Sequence, residues 1–90
     1  MAKIDCTSLR EKLEANPEWP RVYFFKFIVP SDNQKLAQVE ALFGPEAQVS
    51  LKQSSKGNFV SVSAKELMLS ADGIIERYEK AAGIEGLMAL

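Results

Sequence analysis

The sequence contains no histidine and a single cysteine, Cys6. Histidine is the side chain that titrates nearest neutral pH, and it is also the commonest protein ligand of metals. Its absence argues against Ser-His and Cys-His nucleophile systems, and together with the single thiol it argues against a zinc site. We therefore predict no enzymatic activity, no metal and no cofactor. A lone thiol cannot form an internal disulfide, which is typical of a reducing compartment.

Long apolar runs and a charge excess are missing as well. No run approaches the roughly 18 apolar residues of a membrane-spanning helix, and the N-terminal stretch MAKIDCTSLREKLE has no apolar secretory core. Eleven basic residues against twelve acidic ones give a net charge of −1. No overall field therefore attracts nucleic acid or anionic lipid. We predict a cytoplasmic protein that does not bind membranes, and the charge disfavours nucleic acid as a partner.

The composition that is present belongs to a small folded domain. Of the 90 residues, 47% are hydrophobic and 26% carry charges of both signs, which is typical of a compact fold rather than a disordered tail. A chain of this length buries about 60–65% of its unfolded surface, enough for one modest core. We divide it into an N-terminal helical extension, 1–18, and a domain over 19–90.

Apolar periodicity and turn residues predict the secondary structure. In chain order the predicted elements are a helix from a capping box at Ser8 to about Ala15, a strand over 21–29, a helix begun by Ser31 and ended by Gly44-Pro45, strands over 47–53 and 58–67, a helix from Ser70 to Gly83, and a short strand within 84–90. After the first helix this order is the split βαβ pattern of ferredoxin-like folds. We predict an α+β, ferredoxin-like βαββαβ sandwich: a four-stranded antiparallel sheet with two helices on one face, plus a short N-terminal helix.

The two middle strands are predicted to form a hairpin with residues 54–57 as its turn. The cross-strand pairs would then be Gln53 with Asn58, Lys52 with Phe59, Leu51 with Val60, Val49 with Val62, and Glu46 with Lys65. This register places the valines and the leucine together on one face of the sheet. Ser50, Lys52, Phe59 and Ser61 share the other face, as expected for a sheet buried on one side.

Several motifs resemble those of a known family. They are Trp19-Pro20 before an aromatic strand, Phe25-Lys26 within it, the run 54–59 followed by Ser61-Val62-Ser63, Tyr78, and the apolar end 87–90. From Trp19 to Leu90 the chain resembles the YbeD-like family, small bacterial proteins of unknown function. The resemblance implies a ferredoxin-like fold similar to ACT-type regulatory domains, which bind small metabolites and often pair through their sheets. It implies no particular activity.

One residue departs from the predicted pattern. Glu66 stands where the alternation of Val60, Val62 and Ala64 calls for an apolar side chain directed at the core. We therefore expect the third strand to end or bulge at this residue.

The predicted hairpin tip is the first candidate site, and it consists of Ser54, Ser55, Lys56, Gly57 and Asn58. Hydroxyl groups, an ammonium and backbone N–H groups are the components of an anion-binding nest. A phosphate-binding P-loop, however, carries glycines before its lysine and opens a helix, whereas here one glycine follows the lysine and leads into a strand. A tight turn in which Gly57 supplies a positive φ explains the same residues. Both interpretations stay open.

The second candidate site is the sheet face away from the helices, with Phe24, Lys26, Ile28, Lys52, Phe59, Ser61 and Ser63. Its apolar residues need to be covered. The cover is either the N-terminal helix, through Leu9 and Leu13, or another protein molecule, which is a second copy of the chain or a different protein. Phe24 and Phe59, predicted to be near neighbours beside lysines, also resemble the base-stacking aromatics of RNA-binding sheets.

The favoured prediction is a small regulatory or protein-interaction module that acts through this sheet face. The alternative is binding of a small metabolite or anion, in the ACT-like manner, at the hairpin from Ser54 to Asn58. RNA binding on the sheet is the minor alternative.

Overall fold

The computed structural model describes residues 6–15 and 18–90, which form three helices and four strands. In chain order these are α1 (Cys6–Glu14), β1 (Arg21–Pro30), α2 (Asn33–Glu40), β2 (Gln48–Gln53), β3 (Phe59–Met68), α3 (Ala71–Ala81) and β4 (Met88–Ala89). The strands form one antiparallel sheet in the order β2-β3-β1-β4. This is the ferredoxin-like order, so the predicted α+β fold class is confirmed. No helix in the described part of the chain is long and apolar enough to cross a membrane.

The core lies between the sheet and its helices. Alternate residues of β1, Phe25, Phe27 and Val29, are buried on the helix side. The rings of Phe25 and Phe27 pack with those of Phe43 and Tyr78 at centroid separations of 5.5 to 6.2 Å. Aromatic packing of this kind joins β1 to α3 and to the turn that follows α2. The remaining buried core residues are Leu13, Val39, Val60, Val62, Ala64, Met68, Ala71, Ile74, Ile75, Ala81, Ile84 and Leu87.

Two of the three predicted helix caps are wrong. The N-cap of α2 is Asp32 rather than Ser31, because its carboxylate accepts hydrogen bonds from the backbone N–H groups of Gln34 (2.8 Å) and Lys35 (3.2 Å). The chain is already helical at Cys6, so Ser8 lies inside α1 instead of capping it.

The predicted cap of α3 is confirmed, since Ser70 Oγ accepts a hydrogen bond from Gly73 N at 3.2 Å. The ends of two other elements differ from prediction. The helix α2 ends at Glu40, short of Gly44, and residues 42 and 43 continue only as tighter turns that bond three residues back. The last strand is limited to Met88 and Ala89.

The predicted hairpin register is wrong by two residues. Gln53 lies opposite Val60 instead of Asn58, and Lys65 lies opposite Gln48 instead of Glu46. The turn is closed by Ser54, whose N–H donates to Phe59 O at 2.8 Å, so the loop itself is 55–58. Because side chains in a strand alternate with a period of two, this shift leaves every residue on its predicted face. Burial patterns therefore could not detect the error.

The third strand neither ends nor bulges at Glu66, contrary to the sequence prediction. Pairing with β1 runs without interruption from Arg21 opposite Met68 to Pro30 opposite Phe59, with Tyr23 opposite Glu66. The carboxylate is accommodated on the helix side because Arg77 donates two hydrogen bonds to it, at 2.6 and 3.0 Å. A fork-like guanidinium pair of this kind compensates a carboxylate withdrawn from water.

The N-terminal helix does not cover the open side of the sheet. The predicted alternative in which this helix covers that side through Leu9 and Leu13 is therefore wrong. Leu13 of α1 is buried in the core, and α1 packs against α3, with Arg10 at 2.6 Å from Asp72. Both contacts place α1 on the helix side. The apolar residues on the other side of the sheet therefore stay uncovered within the described part of the chain.

Candidate functional site

The sheet surface that faces away from the helices is here named the open face. Strand alternation and the observed registers assign to it Val22, Phe24, Lys26 and Ile28 of β1, Gln48, Ser50 and Lys52 of β2, Phe59, Ser61, Ser63, Lys65 and Leu67 of β3, and Met88 of β4. All seven residues predicted for the sheet-face interface belong to it. The structure thus brings these residues onto one continuous surface.

The open face has an apolar end. Val22 and Leu67 are cross-strand partners, and Phe24 follows Val22 two residues further along the same face of β1. The ring of Phe24 is 70% exposed although β1 is an interior strand of the sheet. Several large apolar side chains exposed side by side are unusual on a surface that contacts only water.

The two phenylalanines of this face are far apart. Phe24 lies opposite Lys65, whereas Phe59 lies opposite Pro30, six residues beyond Phe24 along β1. At about 3.4 Å per residue their backbones are about 20 Å apart. The prediction that Phe24 and Phe59 are near neighbours is therefore wrong, because the sequence does not fix the register between β1 and β3. Two adjacent bases of an RNA therefore cannot stack on both rings, which is the arrangement that the RNA-binding alternative requires.

The open face is positively charged. Lys26, Lys52 and Lys65 project from its three longest strands, and none of them forms an ion pair with a carboxylate of residues 6–15 or 18–90. Lys65 Nζ lies 5.8 Å from the centroid of the Phe24 ring, a cation–π contact. The only acidic residue in the four strands, Glu66, points to the helix side. This surface is basic although the whole chain carries a net charge of −1.

A shallow groove of about 370 Å³ crosses the open face. Ser50 and Ser63, which are cross-strand partners, line it with short side chains. The longer side chains of Phe24, Lys26 and Lys65 line it too and stand beside the serines. The groove therefore offers an apolar ring, two ammonium groups and two hydroxyls to a narrow ligand.

Several hydrogen-bonding groups of the hairpin tip bond within the hairpin. Gly57 N donates to Ser54 O at 2.9 Å, and Phe59 N donates to Ser54 Oγ at 3.2 Å. The side-chain amide of Gln53 donates to Gly57 O at 3.4 Å. Gly57 has a φ of 74°, which confirms its predicted positive φ. The N–H groups of Gly57 and Phe59 are therefore used within the turn and are not available to an anion.

The hairpin tip and the groove are separate. Asn58 O accepts a hydrogen bond from Ser31 N at 3.0 Å, which ties the tip to the segment that follows β1. The pair Lys52 and Ser61 lies between the tip and the serines of the groove. The two predicted candidate sites therefore do not form one composite site.

We expect the substitution Gly57→Ala to lower the free energy of unfolding by about 1 kcal/mol, because a side chain at positive φ is strained. The added Cβ would contact Gln53 Nε2 at 3.4 Å, so strain rather than a clash causes the loss. Urea unfolding followed by circular dichroism measures the change. Ser55→Ala, on the exposed loop next to it, is the control and should leave stability unchanged. Equal losses in both variants would contradict a structural role specific to Gly57.

Six residues of the open face are absent from the predicted interface set: Val22, Gln48, Ser50, Lys65, Leu67 and Met88. Val22, Lys65 and Leu67 follow from the alternation along β1 and β3. Gln48 and Ser50 follow from the alternation that identifies Lys52, so the same signal could have found them. The position of Met88, opposite Ile28, depends on the register of β4. No turn of defined length connects β4 to its neighbour, so no sequence signal indicated that register.

A polar cluster on the helix side was not predicted either. The carboxylate of Glu66 binds Arg77 and also accepts a hydrogen bond from Gly44 N at 3.3 Å. The hydrogen bonds from Arg77 hold the pKa of Glu66 below its ordinary value. Nearby, the hydroxyl groups of Tyr23 and Tyr78 are 3.0 Å apart, and burial raises the pKa of Tyr78. These groups satisfy one another, so we assign the cluster to the stability of the fold.

Fold and surface together define an α+β domain of ferredoxin-like topology with an uncovered basic and apolar sheet face. No protein-family model matches the chain, and neither a curated protein nor a solved structure matches it. The inference of function therefore depends on the open face itself.

Proposed function

We propose that the protein is a small regulatory or protein-interaction module that binds a partner protein through the open face. The observation that carries the proposal is Phe24, a large aromatic residue of an interior strand that is 70% exposed beside a groove. Aromatic side chains are the commonest energetic anchors of protein interfaces, since two torsion angles suffice to order a large apolar area.

The surroundings of Phe24 support this role. Val22 and Leu67 extend the apolar area, and Lys26 and Lys65 border it with charge. An apolar centre with a polar rim is the usual arrangement of a protein interface. Burying the Phe24 ring against a partner would contribute about 2 kcal/mol from the hydrophobic effect.

The remaining predictions from the sequence do not depend on this proposal. The resemblance to the YbeD-like and ACT-like proteins stays a prediction, and so do the cytoplasmic location and the absence of catalysis. Anion or metabolite binding at the hairpin is not favoured by any contact, since two N–H groups of the tip already have acceptors there.

Site-specific photo-crosslinking tests the proposal. Benzoyl-phenylalanine placed at Phe24 of the full chain, in the cells that naturally contain it, should give one discrete crosslinked protein. The same group at Gln38, an exposed residue of α2, is the control and should give none. We then expect Phe24→Ala to weaken binding of the purified, identified partner by about 30-fold, which corresponds to about 2 kcal/mol.

Two results would count against the open face as an interface. One is crosslinking of equal yield from positions 24 and 38, which would indicate contact by diffusion alone. The other is a partner whose affinity is unaffected by Phe24→Ala. The unfolding free energy of this variant is measured in parallel, so that a loss of binding is not confused with unfolding.

A further inference from the structure

We infer that the partner of the open face is a protein segment that is extended and acidic, with apolar side chains on either side of its acidic residue. This inference rests on the proposed function and adds the chemistry of the partner. It is carried by the distribution of charge, by the spacing of side chains along β1, and by the size of the face.

Acidic residues are absent from the open face, whereas the helices carry both acidic and basic residues. The open face presents three lysines, and none of the residues that the four strands direct to it is acidic. Acidic residues instead lie on the helices; among those that are exposed are Glu11, Glu14, Glu40, Asp72, Glu76 and Glu79. Surface potentials of opposite sign accelerate association and select partners. A partner with carboxylates at the contact is therefore favoured over a neutral or basic one.

The spacing of side chains along β1 gives the order of groups in the partner. On the open face Phe24, Lys26 and Ile28 follow one another at intervals of two residues, which is about 7 Å. An extended peptide presents its own alternate side chains at the same interval. A segment with the pattern apolar, any residue, acidic, any residue, apolar can therefore place its carboxylate at Lys26 and its apolar side chains at Phe24 and Ile28. The groove beside Lys26, with Ser50 and Ser63, leaves room for the part of such a segment that carries the carboxylate.

A second copy of the chain fits this face poorly. Face-to-face pairing of two copies would bring Lys26, Lys52 and Lys65 near the same lysines of the other copy, and such repulsion between like charges opposes association. The face is also narrow, because only β1 and β3 have ten residues, whereas β2 has six and β4 has two. A short extended segment needs less contact area than the roughly 800 Å² of accessible surface that each partner of a stable protein pair usually buries.

Nucleic acid is also disfavoured by the geometry. Single-stranded nucleic acid binds platforms on which successive bases stack on neighbouring aromatic rings. Phe24 and Phe59 are about 20 Å apart along the sheet, so they cannot hold successive bases.

The first test uses charge reversal in the crosslinking experiment. The variant Lys26→Glu/Lys65→Glu, carrying benzoyl-phenylalanine at position 24, should lose most of its crosslinked product. In the binding assay with the identified partner its affinity should fall by about tenfold or more. The matched control is Lys12→Glu/Lys80→Glu, which changes the net charge equally but on the helices, and its affinity should stay within about twofold of that of the unchanged protein.

This experiment separates the two proposals. If position 24 crosslinks a partner and the reversal of Lys26 and Lys65 has no more effect than the control, the inference of an acidic partner is wrong and the interface stands. If position 24 crosslinks nothing, the proposed function itself is wrong. If the control variant Lys12→Glu/Lys80→Glu also loses its crosslinked product, the inference is wrong as well, since the change in net charge would then explain the loss in both variants.

A second test uses synthetic probes. NMR titration of the full chain with the peptide Leu-Ser-Glu-Ser-Leu should shift the resonances of Phe24, Lys26 and Ser63, and the shifts should weaken as salt rises from about 50 to 300 mM. The matched peptide Leu-Ser-Lys-Ser-Leu should bind at least about tenfold more weakly. Equal binding of the two peptides, stronger binding of a uridine oligomer, or shifts away from the open face would each overturn the inference.

Discussion

Replacing Phe27 by alanine is expected to lower the free energy of unfolding by about 4 kcal/mol. Phe27 is fully buried on the helix side of β1, between the rings of Phe43 at 6.2 Å and Tyr78 at 5.7 Å. The substitution removes this packing and leaves a cavity that the sheet and α3 cannot close without moving apart. Urea unfolding monitored by circular dichroism, with an unchanged dependence on denaturant, measures the loss.

The matched control lies three residues earlier on the same strand. Phe24→Ala removes an identical side chain from the opposite face, where 70% of Phe24 is exposed, and should cost less than about 0.5 kcal/mol. The pair of variants therefore separates stability from binding. Similar losses for both would contradict the assignment of the two faces and, with it, the open face as a free surface.

The faces of the sheet were predictable because they depend only on alternation. In β1 the sequence Phe24, Phe25, Lys26, Phe27 shows which residues share a side, and the structure keeps that assignment. The pairing of β2 with β3 was not predictable to the residue. The predicted turn is 54–57, and the observed loop is 55–58, closed by Ser54 and Phe59. Both place every side chain of the two strands on the same face of the sheet, so burial cannot distinguish them.

The candidate site was predictable as a set of residues but not as a geometry. The distance between Phe24 and Phe59 depends on the register of β3 with β1, and no short turn connects these two strands. The basic character of the open face was hidden by the net charge, which sums over both sides of the molecule. The position of α1 was undetermined for a different reason: Leu9 and Leu13 define an apolar stripe, but a stripe does not indicate which side of the sheet it contacts.

Glu66 shows why a single charged residue in an apolar strand pattern can be misread. Its partner Arg77 is eleven residues further along the chain and on another element, so no local pattern connects the two. We expect Glu66→Ala to lower the free energy of unfolding by about 2 kcal/mol, because the guanidinium of Arg77 would lose its carboxylate in a partly buried position. Gly44 N would lose its acceptor as well.

A double-mutant cycle isolates the contribution of this ion pair. Glu66→Ala, Arg77→Ala and the double variant are unfolded in urea, and the losses should be less than additive by at least about 1 kcal/mol. Glu76→Ala is the control, because the ion pair of Glu76 with Lys80 is exposed and its loss should leave stability unchanged within error. Additive losses at positions 66 and 77 would mean that packing alone, such as the contact of Arg77 with the Phe25 ring, explains them.

The pH dependence gives an independent check of the same contact. The hydrogen bonds from Arg77 lower the pKa of Glu66 in the folded protein below its ordinary value of 4.5. A lowered folded pKa means that the stabilisation is fully present above about pH 4.5 and is lost as the pH falls through the folded value. The stability difference between the unchanged protein and Glu66→Ala should therefore be constant near neutral pH and shrink as the pH falls below about 4.5. A difference that stays constant throughout would show that Glu66 contributes through its shape rather than its charge.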